Sequence, residues 1–148
     1  MELSILTCDE PSQTHLLRLQ CGPWADRDFV TAWHICKNPL CACQTITLFC
    51  AEDRPQPLVS DPPPLVVCLD VVRRQLARPT EVKMDSRSPA FAKAVRTELQ
   101  PDDWVELYHL WSATKQDQVR RADPNTLDAV FAPGVMAGEE TMVGFSEP

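Results

Sequence analysis

Alternating apolar and polar positions predict strands in the first part of the chain. Residues 14–21 alternate in this way, with Leu17 and Leu19 on one face and Arg18 and Gln20 on the other. Successive side chains of a strand point to opposite faces, so a strand with one buried face produces this period of two. The pattern therefore predicts a strand at 14–21.

A hairpin is predicted downstream of this strand. Residues 29–36 and 41–50 are rich in β-branched and aromatic side chains, and they flank the stretch 37–40. That stretch contains Asn38-Pro39, and the Asn-Pro pair favours turn initiation. Two strand-like segments separated by such a turn are typical of an antiparallel hairpin.

Prolines and a strongly apolar run predict the structure of the next segment. Residues 53–64 contain several prolines, which favour an extended connection over a helix or a central strand. Residues 65–72 read LVVCLDVV, which is typical of a buried strand. Residues 80–84 are predicted to form a short partner strand.

Beyond residue 85 the spacing of apolar residues changes to that of a helix. Ser88 is predicted as a helix N-cap, followed by Pro89 at the first helical position. Phe91, Val95 and Leu99 then recur at four-residue intervals, so they would share one helix face.

A second helix is predicted to begin at Pro101, because acidic residues occupy the following turn, where the helix dipole favours them. It is predicted to end before Asp123-Pro124. This helix carries an apolar stripe made of Trp104, Leu107, Tyr108 and Trp111. We interpret the stripe as a face packed on the sheet. The alternative is an exposed interaction groove formed by Trp104, Tyr108 and Trp111.

A run of strands followed by a run of helices indicates an α+β fold. We expect a small antiparallel sheet with a metal-binding hairpin, followed by two helices and an extended tail. The whole chain, 1–148, is predicted to be a single domain. Within it we expect a β-rich part at 1–85, a helical part at 86–124 and the tail at 125–148.

Composition and charge narrow the classes of function. The chain is 44% hydrophobic and 24% charged, which is typical of a folded protein. Its net charge is −7, and acidic residues outnumber basic ones in both 1–85 and 86–148, so nucleic-acid binding is not expected. No apolar run has the length of a membrane helix. The first ten residues lack the basic and apolar regions of a signal peptide, so we expect a cytoplasmic protein.

The chain contains seven cysteines, an odd number, and disulfides are disfavoured in the reducing cytoplasm. The informative segment reads H-x-C, four residues, C-x-C. If Cys36 lies opposite Cys41, then His34 faces Cys43, and all four side chains share one face of the hairpin. The other face then carries the apolar residues Phe29, Trp33, Ile35, Ile46 and Leu48.

This arrangement predicts a structural zinc site. Opposed Cβ atoms lie about 4.5–5.5 Å apart, and thiolates with one imidazole suit zinc in a reducing cell. Four protein ligands leave no open position on the ion. His34 is the leading fourth ligand, and the alternatives are Cys21, Cys8 and Cys50. The competing interpretation is that Cys36 and Cys41 are packed cross-strand thiols with no metal between them.

The segment Cys36–Cys43, with Asn38-Pro39 between its cysteines, resembles segments of uncharacterised bacterial Cys-rich zinc-binding proteins. It is also similar, more distantly, to the SEC-C metal-binding motif, which contains C-x-C followed by a further Cys with Cys or His. The chain lacks the Gly-Ser-Gly-Lys-Lys stretch and the final Cys pair of that motif. The resemblance implies zinc binding and a role in contacting another protein, and it implies no enzymatic activity.

Together these features predict a zinc-stabilised cytoplasmic module with a structural or protein-interaction role. The sequence contains no phosphate-binding loop, nucleophile elbow or H-E-x-x-H motif, so an enzyme is the less favoured class. Two alternatives remain at this point: a thiol-redox protein that uses the C-x-C pair, and a metal-handling protein with an exchangeable site.

Overall fold

Six strands form one antiparallel sheet in the computed structural model, and their order in the sheet follows their order in the sequence. The structure describes residues 1–10, 12–53, 63–79 and 82–122. The strands are β1 (Leu6–Asp9), β2 (Thr14–Leu17), β3 (Phe29–His34), β4 (Thr45–Glu52), β5 (Leu65–Asp70) and β6 (Gln75–Leu76). Because every strand pairs with its neighbours in sequence, the sheet is a meander.

Two helices follow the sheet, α1 (Ser88–Glu98) and α2 (Pro101–Arg121). This order of elements confirms the α+β class that the sequence predicts. The predicted cap of α1 is wrong by one residue, because the N-cap is Arg87. The Ser88 hydroxyl instead accepts a hydrogen bond of 2.9 Å from the backbone N–H of Val66, and this bond ties the start of α1 to β5.

The start of α2 is fixed by a buried carboxylate. Asp103 accepts a 2.8 Å hydrogen bond from the backbone N–H of Gln100, the residue before the helix. It also accepts bonds of 2.7 Å from the backbone N–H of Ser4 and 2.5 Å from the Ser4 hydroxyl. Three donors satisfy the buried charge, so Asp103 both caps α2 and holds the N-terminal residues against it.

The helices cover one face of the sheet and enclose the core. The rings of Phe29 on β3 and Phe91 on α1 lie 5.0 Å apart between centroids. The apolar hairpin face predicted from alternation packs in this core: Phe29, Ile35, Ile46 and Leu48 are buried, and Trp33 packs against them half-buried.

Several predicted strand positions are wrong. The strand predicted at 14–21 ends at Leu17, and β1 was not predicted because its four residues show little alternation. The partner of β5 at the sheet edge is β6, which follows a short turn, whereas residues 82–84 form no strand. Residues 80 and 81 lie outside the described residues.

Other predictions also fall outside the described residues, namely most of the extended connection at 53–64 and the tail at 125–148. The division of the chain at 85 and 124 stays a prediction. Within the described part, neither helix combines the length and the apolar character needed to span a bilayer.

Candidate metal centre

The β3–β4 hairpin differs in register from the sequence prediction. His34 pairs with Thr47 rather than with Cys43, and Phe29 pairs with Glu52 rather than with Leu48. The strands therefore separate earlier, and residues 35–44, here called the cysteine loop, connect them. The shift is an even number of residues, so each side chain keeps its predicted face.

A tight turn inside the cysteine loop reverses the chain. The carbonyl of Asn38 accepts a 3.1 Å hydrogen bond from the N–H of Cys41, and the Asn38 side-chain oxygen accepts one of 3.0 Å from the N–H of Leu40. Pro39 occupies the second position, where its fixed φ suits a turn. The turn that Asn-Pro predicts is thus present at 38–41, and it returns Cys41 towards Cys36.

The loop gathers three cysteine side chains. The sulfur atoms of Cys36, Cys41 and Cys43 all lie within 4.8 Å of one another, and each residue is half-buried. The sulfurs of Cys41 and Cys43 are 3.0 Å apart. The N–H of Cys43 also points at the Cys41 sulfur, at 3.4 Å. This cysteine triad could hold a metal ion.

A lysine from α2 fixes the backbone of the loop. The buried ammonium of Lys115 donates hydrogen bonds of 2.8 Å to the carbonyl of Cys36 and 2.9 Å to the carbonyl of Asn38. The side-chain amide of Gln118 donates a second bond, of 3.0 Å, to the Cys36 carbonyl. The cysteine loop therefore lies against α2.

The thiols of the triad differ in acidity. Hydrogen bonds from the side chain and backbone of Cys43 lower the pKa of Cys41, and the charge of Lys115 lowers it further. Burial is the main cause that raises the pKa of Cys43 to about 12, and hydrogen bonds with Cys41 and Cys36 add to it. Cys41 is thus the thiol most easily deprotonated within this pair.

The other predicted ligands lie elsewhere. His34 is exposed at the end of β3 and is not part of the triad. Cys8 pairs with His15 across β1 and β2. Cys21 is exposed, and its N–H donates a 3.0 Å hydrogen bond to the Glu98 carboxylate.

Cys50 lies on the core face of β4, because its position in the strand points towards the helices. The sequence offered Cys50 as an alternative fourth ligand, but it lies in the core and is not part of the triad. Burial raises the pKa of Cys50 to about 12, and the Thr31 hydroxyl lies 3.6 Å from its sulfur. Cys68 is also buried in the sheet.

The aromatic stripe on α2 is divided between core and surface. Trp104 and Leu107 are buried, and Trp111 packs half-buried against the core. Tyr108 is 42% exposed, and its ring lies 5.9 Å from that of Trp111 between centroids.

Sequence reasoning missed Lys115 and Gln118. One signal was available, since Lys115 follows Trp111 by four residues and so continues the apolar stripe of Trp104 and Leu107. A lysine on a buried helix face needs a partner for its charge. The carbonyls of the cysteine loop are acceptors for it.

Comparison with known proteins adds no family. The chain matches no protein-family model, no curated protein and no solved structure. The chemistry of the cysteine triad and of its contacts with α2 is therefore the basis for a functional conclusion.

Proposed function

We propose that the protein is a zinc-binding module in which Cys36, Cys41 and Cys43 hold the ion. The observation that carries this proposal is the convergence of three thiol sulfurs within 4.8 Å on one short loop. Tetrahedral Zn–S bonds of about 2.3 Å place sulfur atoms about 3.8 Å apart. Small side-chain adjustments would bring the triad to that geometry.

Thiolate ligands select soft or borderline metal ions, and zinc is the abundant one that tolerates three thiolates without redox chemistry. Three thiolates and a divalent ion carry one net negative charge. The buried ammonium of Lys115 lies against the same loop and opposes that charge. This charge balance favours a metal-bound form of the triad.

In this proposal the ion has a structural role. It would cross-link the two ends of the cysteine loop and fix the loop against α2, and the loop would then present a rigid surface to a protein partner in the cytoplasm. The resemblance of Cys36–Cys43 to zinc-binding segments and to the SEC-C motif supports the same role.

Metal content of the purified protein tests the proposal. Native mass spectrometry of protein prepared with intact thiols should show about one zinc per chain. Cys41→Ser should lose the ion, because two thiolates hold zinc far more weakly than three. Cys21→Ser is the matched control, since this exposed cysteine lies outside the triad, and it should keep the ion. A wild-type chain without metal under these conditions would contradict the proposal.

One observation favours thiol-redox chemistry as a second candidate. The sulfurs of Cys41 and Cys43 lie 3.0 Å apart, and the pKa of Cys41 is lowered by its hydrogen bonds with Cys43. The Cys41 thiolate could attack an external disulfide, and the Cys43 thiol could then displace the mixed disulfide. The external disulfide would be reduced to two thiols as Cys41 and Cys43 join. Mass analysis of the protein as purified, after treatment with oxidised glutathione, distinguishes this candidate. A loss of two hydrogens, as Cys41 and Cys43 join, favours redox chemistry, whereas a metal-loaded protein that resists oxidation favours the zinc module.

A further inference from the structure

The cysteine triad offers three ligands, one fewer than a closed zinc site needs. All seven cysteines and all three histidines of the chain fall within the described residues. Within the described residues, Cys43 is the one His, Cys, Asp or Glu whose ligand atom groups with the sulfurs of Cys36 and Cys41. The segments outside the description contain neither Cys nor His.

Two side chains, one close to Cys36 in sequence and one hydrogen-bonded to the loop, do not supply the fourth ligand. His34, two residues before Cys36, is exposed and pairs in the sheet with Thr47. Lys115 uses its ammonium protons in bonds to the carbonyls of Cys36 and Asn38 and to the side-chain oxygen of Gln118, at 3.3 Å. A protonated amine has no lone pair to give to a metal.

We propose that an ion bound by Cys36, Cys41 and Cys43 keeps one coordination position for a nitrogen or sulfur donor from outside this chain. The inference rests on the proposed metal site, and it makes that site open rather than closed. Zinc with three protein ligands completes its tetrahedron with water or another exchangeable ligand. An imidazole or a thiolate would displace that water.

Access and charge both permit such a donor. The three cysteines are half-buried, and Ala42 between two of them is exposed, so a small donor can approach the sulfurs from solvent. A neutral imidazole would leave the balance between the bound ion and Lys115 unchanged. A thiolate would raise the net negative charge of the ion and its ligands from one to two, and the Lys115 ammonium would oppose this charge.

Cobalt(II) substitution tests the open position, because its ligand-field and charge-transfer bands report the donors around the ion. The 148-residue chain, loaded with Co(II) after removal of zinc, should show tetrahedral bands with thiolate charge transfer. Titration with imidazole, and separately with 2-mercaptoethanol, should shift these bands in a saturable way. Cys21→Ser is the control and should behave as wild type.

The outcomes separate the two proposals. Absence of Co(II) bands in wild-type protein would overturn the metal site itself. Tetrahedral bands that neither imidazole nor 2-mercaptoethanol changes would leave the metal site standing and overturn the open position, since a carboxylate or other donor of this chain would then complete the shell tightly.

The source of the donor can be read from the mass of the loaded protein. A metal-dependent dimer that imidazole disperses would assign the donor to a second copy of the chain. A loaded monomer that responds to imidazole would assign it to a small molecule.

Discussion

At the scale of single residues, cysteine spacing carries most of what the sequence predicts about the site. Cys36, Cys41 and Cys43 lie close in sequence, so any reversal near Asn38-Pro39 brings them together, whatever the strand register. The fourth ligand could not be predicted in this way. The position of His34 depends on the register, and four residues of shift separate it from Cys43 in the pairing.

The Lys115 ammonium should control how firmly the loop holds a metal ion. Lys115→Met keeps the length and apolar stem of the side chain but removes the donor to the carbonyls of Cys36 and Asn38. Loss of partners outside the ligand sphere commonly weakens metal binding by about 10- to 100-fold. We expect a weakening of that size for zinc in competition with a chromophoric chelator.

Lys93→Met is the matched control, because Lys93 is exposed on α1. It should leave zinc affinity unchanged. Equal affinities for Lys115→Met and wild type would mean that the loop keeps its shape without the ammonium.

At the scale of elements, the spacing of apolar residues and the placement of prolines predict whether a segment is a helix or a strand better than they predict where it begins and pairs. The helices were predictable because Pro89 and Pro101 mark their first turns, and because apolar residues recur at helical spacing. The hairpin faces were predictable from alternation alone. Its register was not, because that depends on the length of the connection, and residues 35–44 form a longer loop than the Asn-Pro turn indicates.

The turn before α1 gives a pH-dependent contribution to stability. The Asp85 carboxylate accepts hydrogen bonds from the Arg87 backbone N–H at 2.8 Å and from its guanidinium at 2.8 and 3.0 Å. These bonds with Arg87 lower the pKa of Asp85 from 3.8 to about 2. Because the folded-state pKa is depressed, this stabilisation is present above pH 3.8 and is lost as pH falls towards 2.

Asp85→Asn should therefore lower the free energy of unfolding by about 1 kcal/mol at neutral pH. The difference from wild type should shrink when urea unfolding is repeated between pH 4 and pH 2. Glu106→Gln, at an exposed position of α2, serves as the control for removing one negative charge. A difference that stays constant down to pH 2 would show that the carboxylate charge contributes nothing.

At the scale of the whole molecule, the core and the cysteine loop are distinct in composition but linked through α2. The core is formed by the sheet, α1 and the first half of α2, around side chains such as Leu48, Phe91 and Leu107. The loop meets the second half of α2 through Lys115 and Gln118, by polar contacts. Apolar burial therefore maintains the fold, while the proposed ion and the ammonium maintain the loop.

Removal of metal should accordingly loosen one region and leave the fold in place. A chelator should lower the melting temperature of zinc-loaded protein, by roughly 3 °C for each kcal/mol of lost binding energy in a chain of this size. The far-ultraviolet circular dichroism should change little, because the helices and strands do not contain the triad. Amide exchange should accelerate at 35–44 and in α2 near Lys115, but not at Val67 or Phe91 in the core.

Cys41→Ser provides the control, since a chain that has already lost the ion should not respond to the chelator. Collapse of the whole circular dichroism signal on chelation would mean that the core does not fold without the ion, as in the smallest zinc modules. The core cluster argues against that result, because 19 of its 20 residues, all but Ile35, lie outside the loop and bury a sheet face and two helix faces.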